Sequence, residues 1–321
     1  MIRCGIEEDM TRVSVIIAAK DAEATIGRAV RSALAEPETE EVLLVDDGSA
    51  DGTIAAARAA AAGSDRLVLH ALPRNRGPAA ARNLALDTAR APLVAILDAD
   101  DWLEPGRFAR LLAAAGEGWD LAADDLLLAE EEWAEAPPRP LLGLAGPARD
   151  VGLAGFVESN LPDPRRPRQE LGYLKPLMRR AFLDAHGLRY DPGVRLGEDY
   201  ALYAAALARG GRFRLVPACG YVALQRRGSL SRRHGAAELL ALARADEALL
   251  ALPGLPPAAV VALRRHRRAT LDKHFLRVAL DAKAASDWAG VARAFLGTPS
   301  AAWHILSETL GARLRPSSSG A

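Results

Sequence analysis

Four short runs of apolar, strand-forming residues, broken only by Ser14, stand at 13–17, 42–45, 67–69 and 93–97, each separated from the next by a stretch with helical spacing. No other feature limits the fold as tightly. An alternating strand buries one face, whereas a continuous apolar run is buried on both, as in a parallel sheet covered by helices. Between the runs, Ile26, Val30, Ala33 and Leu34 recur at helical intervals within 22–34, and residues 53–62 form an alanine-rich helix. Pro78 opens a third helix, running to about residue 89, because proline is tolerated in a first turn. The alternation predicts an α/β fold with a Rossmann-like, mostly parallel sheet flanked by helices. Such a sheet binds ligands at the carboxyl ends of its strands. Two acidic clusters fall there: Asp46-Asp47-Gly48-Ser49 after the second run and Asp98-Ala99-Asp100-Asp101 after the fourth.

Beyond this region the pattern changes. Residues 125–172, with Glu130-Glu131-Glu132, Pro137-Pro138 and Pro162-Asp163-Pro164, read as a loop-rich insertion. Regularity resumes near Lys175 and leads to Gly197-Glu198-Asp199, followed by a helix to residue 207. From residue 236 the chain is helical and rich in arginine, broken at Pro253-Gly254 and Pro256-Pro257. The expected organisation is a flexible N-terminus (1–12), an α/β domain (13–235, with halves at 13–120 and 121–235), a helical region (236–315) and a disordered tail (316–321).

Composition excludes several classes. With only two cysteines, Cys4 and Cys219, the chain builds neither a disulfide framework nor a Cys-rich zinc site. It carries no 18-residue apolar run and no basic-then-apolar leader, so a cytoplasmic protein is expected. The balance of 41 Lys+Arg against 41 Asp+Glu hides an asymmetry. Residues 1–160 hold 15 basic and 28 acidic side chains, and residues 161–321 hold 26 and 13. Two regions with different partners are implied.

The acidic clusters suit specific chemistry. Asp98 and Asp100 at a strand end can hold a hard divalent cation, Mg²⁺ or Mn²⁺, that bridges to a diphosphate. An isolated D-x-D is more often ordinary turn chemistry, and only its context favours the metal. Asp47 follows a buried strand, where its carboxylate can accept from a nucleobase N–H or cap the next helix. A glycine at 77 lets backbone approach a ligand, and Arg82, one turn inside the helix, can pair with phosphate or with Asp98. Glu198-Asp199 is either an acidic pair favoured at a helix N-terminus or a general base with its neighbour.

Taken in order, VSVIIAAKDAEATIGRAVRSAL, VLLVDDGSADGT, RNRGPAAARNLAL and VAILDADDW resemble the nucleotide-binding half of the family 2 glycosyltransferases, which have the GT-A fold. The resemblance resumes at LGEDYALYAAAL and, more weakly, at RRGSLSR. It implies an inverting transfer from a nucleotide-diphosphate sugar, UDP-linked, to a hydroxyl acceptor, with Asp100 and Asp98 at the metal. It also implies Asp199 as general base, with Glu198 positioning it or the acceptor. Ala18, Asp47, Asn75, Gly77, Arg82 and Asp98 would line the nucleotide, Asp47 reading the uracil. The chain departs from the family at Ala18-Ala19-Lys20-Asp21, where Pro-x-Tyr-Asn is usual, and at Ala223-Leu224, where a Tyr-Arg pair is common. Backbone contacts to the base survive the first change and ring stacking does not.

The implied partners are a nucleotide-sugar donor and a glycan or lipid-linked acceptor in surface or exopolysaccharide synthesis. Arg264-Arg265-His266-Arg267-Arg268 suits peripheral contact with an anionic membrane, though such a run is as often a solvated face. Nucleic acid is not expected, because no aromatic-interleaved basic patch or known module occurs. A dinucleotide oxidoreductase lacks its G-x-G-x-x-G, and no Walker loop is found. The alternative is a non-catalytic glycosyltransferase-like module that binds nucleotide or glycan in an assembly complex. Asp98, Asp100 and Asp199 weigh against it, since binding alone has no need of the last.

Overall fold

The structure, a computed structural model, describes residues 10–130, 136–161, 169–225 and 235–314. The segment 226–232, with its arginines, and the tail 316–321 lie outside the described residues, as does nearly all of 1–12. The chain forms two compact units, Met1–Ser229 and Leu230–Ala321.

In the first unit the four apolar runs become β1 (Val13–Ala19), β2 (Thr39–Asp46), β3 (Leu67–Ala71) and β4 (Leu93–Ile96). They pair in parallel in the order β3-β2-β1-β4. Burial follows the expectation for β1, β2 and β4, whereas β3, at the sheet edge, is only half-buried. The connecting helices are α1 (Glu23–Ala35), α2 (Thr53–Ala61) and α3 (Pro78–Thr88). Helix α1 turns Ile26, Ala29, Val30 and Ala33 inward at the i, i+3, i+4, i+7 spacing of one helical face.

The other half of this sheet is mixed. After β5 (Trp102–Leu103) and α4 (Arg107–Ala115) come β6 (Leu121–Asp124), β7 (Leu127–Glu130), β8 (Arg139–Pro140), β9 (Arg149–Val151) and α5 (Leu153–Ser159). A single 3₁₀ turn at Leu171–Tyr173 leads to β10 (Leu177–Arg179) and α6 (Arg180–Ala185). Helix α7 (Glu198–Ala208), β11 (Phe213–Val216) and β12 (Tyr221–Gln225) complete the unit. The main sheet reads β3-β2-β1-β4-β10-β6-β11-β9, and β5-β12-β7-β8 form a second sheet. Strand β10 lies antiparallel to both β4 and β6.

The described part of 125–172 therefore holds three short strands and a helix rather than loops alone. Their signal is weak locally because their partners are remote: β7 pairs with β12 over Val222–Gln225, and β9 with β11. The second unit consists of α8 (Ala236–Leu250), α9 (Pro257–Ala284), α10 (Trp288–Phe295) and α11 (Pro299–Leu314). The break between α8 and α9 spans the Pro/Gly positions that predicted it.

Candidate active site

Five charged side chains meet at the carboxyl end of β4. Arg82 Nη2 donates to Asp98 Oδ1 at 2.8 Å, while its Nη1 reaches Glu198 Oε1 at 2.9 Å and Asp199 Oδ1 at 3.4 Å. Lys175 Nζ closes the circuit, 2.6 Å from Asp199 Oδ2 and 3.0 Å from Asp98 Oδ2. The result is a ring of alternating sign, Asp98–Arg82–Asp199–Lys175, with Glu198 appended on Arg82. Arg82, Lys175 and Asp199 are buried, whereas Asp98 keeps 32% of its side chain exposed and forms the open lip.

Each member arrives from a different element. Asp98 sits two residues past β4, and Arg82 points up from the buried face of α3. The antiparallel register Leu177↔Ala95 sets Lys175, just before β10, beside the turn that carries Asp98. Gly197 takes φ +69°, a left-handed conformation that glycine adopts without strain, and α7 begins at Glu198 and Asp199. The acidic pair thus stands at a helix N-terminus and in the ring at once.

Support continues below the ring. Arg107 and Asp124 form a fully buried ion pair at 2.6 Å. Arg107 Nη2 also donates to the Lys175 carbonyl at 2.8 Å, and Asp124 accepts the backbone N–H groups of Cys219 and Tyr221. The lysine backbone is thereby fixed from the core, and only its side chain reaches the site.

The protonation states follow from this arrangement. Burial alone would raise the Asp98 carboxyl, but Lys175 and then Arg82 hold it down at about 2. Burial would weaken the hold of Arg82 and of Lys175 on their protons, and the carboxylates of Asp199 and Asp98 raise both instead. Glu198 is raised, first by burial and then by the Asp199 charge, against the pull of Arg82. Asp101 is pushed far up by burial and by Asp98 and Asp100. Its carboxyl accepts from the Tyr221 hydroxyl and the Leu224 amide, both at 2.8 Å, so it braces β12 against the D-x-D turn.

A second cluster stands at the ends of β1 and β2. Asp47 Oδ1 accepts the Arg76 N–H at 2.7 Å and Oδ2 the Gly77 N–H at 2.8 Å. Asn75 Oδ1 also accepts the Gly77 N–H at 2.9 Å. Gly77, at φ +91°, caps α3, so the loop that Asp47 grips leads within two turns to Arg82. Asp46 Oδ1 is buried with no hydrogen-bond partner among the described residues. Ala18 pairs with Val45 on the adjacent strand. Lys20 is held by the Gly48 carbonyl and Asp21. Asp51, not Asp47, accepts the Thr53 N–H at the start of α2.

Asp100 lies on the turn, half-buried, and its carbonyl accepts from Arg28, whose guanidinium stacks 3.7 Å over the Trp102 ring. Trp102 is therefore a packing platform. No group of three or more His, Cys, Asp or Glu side chains among the described residues forms a metal cage. Both oxygens of Asp98 are already bound to cations, so that carboxylate is a poor ligand for a third. Asp100 with phosphate oxygens and water makes a donor set that suits Mg²⁺ or Mn²⁺, which favour one or two carboxylates plus substrate phosphates.

The structure thus joins Arg82, Asp98, Glu198 and Asp199 in one cluster, and Asp47, Asn75 and Gly77 in a neighbouring one. Lys175 completes the ring without belonging to any of the sequence motifs. Its signal was a lone lysine beside Leu174 and before Pro176-Leu177-Met178, since a charge inside an apolar run is stable only when paired.

Residues 14–170 match the family profile Glycosyl transferase family 2. The chain is 46% identical over 317 residues to the succinoglycan biosynthesis protein ExoU of Rhizobium meliloti (strain 1021), covering 97% of this chain and 91% of that protein. It is 37% identical to ExoO of the same organism, covering 94% and 86%. Among solved structures, S. aureus TarS 1–349 in complex with UDP-GlcNAc superposes with TM-score 0.60 at 17% identity, covering 88% of this chain and 90% of that one. The mannosyltransferase PcManGT of Pyrobaculum calidifontis, in complex with GDP-Man and Mn²⁺, gives 0.54 at 18% identity, covering 92% and 87%. Both likenesses concern the fold.

Proposed function

The chain belongs to glycosyl transferase family 2, and from that membership we propose that it moves a sugar from UDP to a hydroxyl of a lipid-linked glycan during surface polysaccharide assembly. The observation that carries this reading is the ring itself. It brings Asp98, on the donor side, and Asp199, more than a hundred positions later, within reach of one lysine and one arginine. A module that only binds nucleotide has no use for the second carboxylate.

The acceptor hydroxyl loses its proton to Asp199 as its oxygen attacks the anomeric carbon. The bond from that carbon to the diphosphate oxygen breaks on the opposite face, so the configuration inverts and an α-linked donor yields a β-linked product. Glu198 holds Arg82, which with Lys175 fixes the direction of the Asp199 carboxylate. Asp47, Asn75 and Gly77 shape the loop beside the base, and Ala18 offers backbone to it. Asp100 would hold Mn²⁺ or Mg²⁺ together with the donor's phosphates; when bound, the ion takes up charge on the departing nucleotide.

The two succinoglycan biosynthesis proteins support the polysaccharide class, and the UDP-GlcNAc complex of TarS and the GDP-Man complex of PcManGT support a nucleotide-diphosphate sugar as the donor. Among the described residues no helix is long and apolar enough to cross a membrane. With a lipid-linked acceptor, the reading places the chain in the cytoplasm, meeting that acceptor peripherally at an anionic membrane face. Calorimetric titration with UDP and with GDP, each with and without Mn²⁺, tests the donor. Metal-dependent binding selective for UDP is expected. Preference for GDP redirects the donor, and binding of neither by folded protein returns the chain to the non-catalytic class.

A further inference from the structure

Among the described residues, seven large apolar side chains are left exposed, and six of them fall between Val261 and Leu306, in the second unit. The most exposed are Trp288 (68%) on α10, Leu296 (84%) just past its end and Trp303 (75%) on α11. Leu280 on α9 and Val261 near its start are also exposed. Tryptophan is a large, amphipathic ring, and two of them turned to solvent on neighbouring helices have a cause other than packing. The unit has its own core in Ala279, Ala294 and Ile305, with Phe275, Leu276, Val278 and Phe295 against it. The exposed set is therefore surplus to the fold.

Basic side chains flank these positions at helical-neighbour spacing. Arg264 follows Val261 by three residues, Arg277 and Lys283 bracket Leu280 by three on each side, and Arg293 precedes Leu296 by three. Residues 257–308 hold eight Lys+Arg and four Asp+Glu. Arg277 and Arg293 pair with Asp281 and Asp287, but Arg264, Arg268 and Lys283 are exposed and have no acidic partner among the described residues. A surface of this composition repels its own copy and attracts an anionic one. Tryptophan seats at the headgroup level of a bilayer, and arginine snorkels to lipid phosphates beside it.

We infer that the helices α9 to α11 form an interfacial docking surface for an anionic lipid bilayer, with Trp288, Leu296 and Trp303 as apolar anchors and Arg264, Arg268 and Lys283 as headgroup contacts. The surface lies on the membrane rather than across it. The inference deepens the proposed lipid-linked acceptor and rests on it for its purpose. Docking would hold the enzyme where such an acceptor is presented.

The test is co-sedimentation of the full chain with vesicles of phosphatidylcholine alone and of phosphatidylcholine mixed with phosphatidylglycerol, at low and high salt. Binding to the anionic vesicles only, weakened by salt, is expected. The Trp288→Ser/Trp303→Ser variant should bind at least about ten-fold more weakly. Arg264→Gln and Arg268→Gln should each weaken binding about five-fold, the equivalent of ~1 kcal/mol per basic residue near an anionic leaflet. All of these side chains are exposed, and unchanged UDP affinity in the variants reports that the first unit is intact. A wild-type chain indifferent to phosphatidylglycerol overturns the inference, as does a double tryptophan variant that binds like wild type. It also falls if the wild type sediments as a dimer that Leu296→Ser turns monomeric, because the surface is then an interface between copies. Absence of UDP binding by the wild type would instead strike the donor reading and leave the vesicle result to stand by itself.

Discussion

Lys175 Nζ lies 2.6 Å from Asp199 Oδ2, an ion pair between two nearly buried side chains, one just before β10 and one at the start of α7. The same ammonium is 3.0 Å from Asp98. Lys175→Met leaves two carboxylates without their shared cation. Breaking a buried pair by removing one partner costs roughly 3–5 kcal/mol, and a loss near the lower end is expected because Arg82 remains. Transfer should fall by more than about a hundred-fold, the scale on which a positioned base contributes. Lys175→Arg should recover more stability than turnover, since a planar fork cannot meet both carboxylates from one nitrogen. Urea unfolding followed by circular dichroism, beside steady-state transfer, separates the two effects.

Asp199→Asn keeps the shape of the base and removes its ability to take a proton. Transfer should drop by about 10²–10⁴-fold, the range of general base catalysis, while UDP affinity stays nearly unchanged. Normal transfer by this variant would remove Asp199 from the role.

Asp100→Ala separates the ion from the ring. Its UDP affinity should become indifferent to Mn²⁺, because the other carboxylate of the D-x-D turn, Asp98, is engaged by Arg82 and Lys175. Titration with UDP with and without Mn²⁺ reads this directly, and an undiminished Mn²⁺ effect would place the ion elsewhere.

Glu198 and Asp98 respond to pH in opposite senses. Asp98 is held at about 2 against an ordinary 3.8, so the folded state binds its proton less readily than the unfolded one. Its contribution to stability is fully present above 3.8 and is lost as pH falls from there to about 2. Asp98→Asn should flatten the pH dependence of the urea midpoint in that window. Glu198 is raised by burial and by Asp199, so its ionised form opposes folding at neutral pH. Glu198→Gln retains an acceptor for Arg82 and should be at least as stable as wild type at pH 7. A lower urea midpoint would contradict the sign.

The deepest support is open to the same approach. Arg107→Met removes the fully buried partner of Asp124 and the donor to the Lys175 carbonyl. A loss of about 3–5 kcal/mol is expected. Turnover should fall in the fraction that remains folded, although Arg107 does not itself line the site.

Local pattern alone determined the parallel half of this protein. Continuous apolar runs at β1, β2 and β4 can be stable only when covered on both faces, and the polar turns that end β2 and β4 had to open at one edge of the sheet. Asp47, Asp98 and the Glu198-Asp199 pair were legible for that reason: each is an acidic break directly after or before a strongly periodic segment. The same periodicity said little about β7, β9 and β10, which are three or four residues long and gain their stability from strands far away in the chain. Tertiary structure alone decided that β10 enters antiparallel between β4 and β6, and with it that Lys175 stands between Asp98 and Asp199. It also decided that both oxygens of Asp98 serve cations of the protein, and that Asp101 braces a strand. The physical reason is range: a helix or a buried strand declares itself within a few residues, whereas the partner of a buried charge is whichever opposite charge the strand register carries to it.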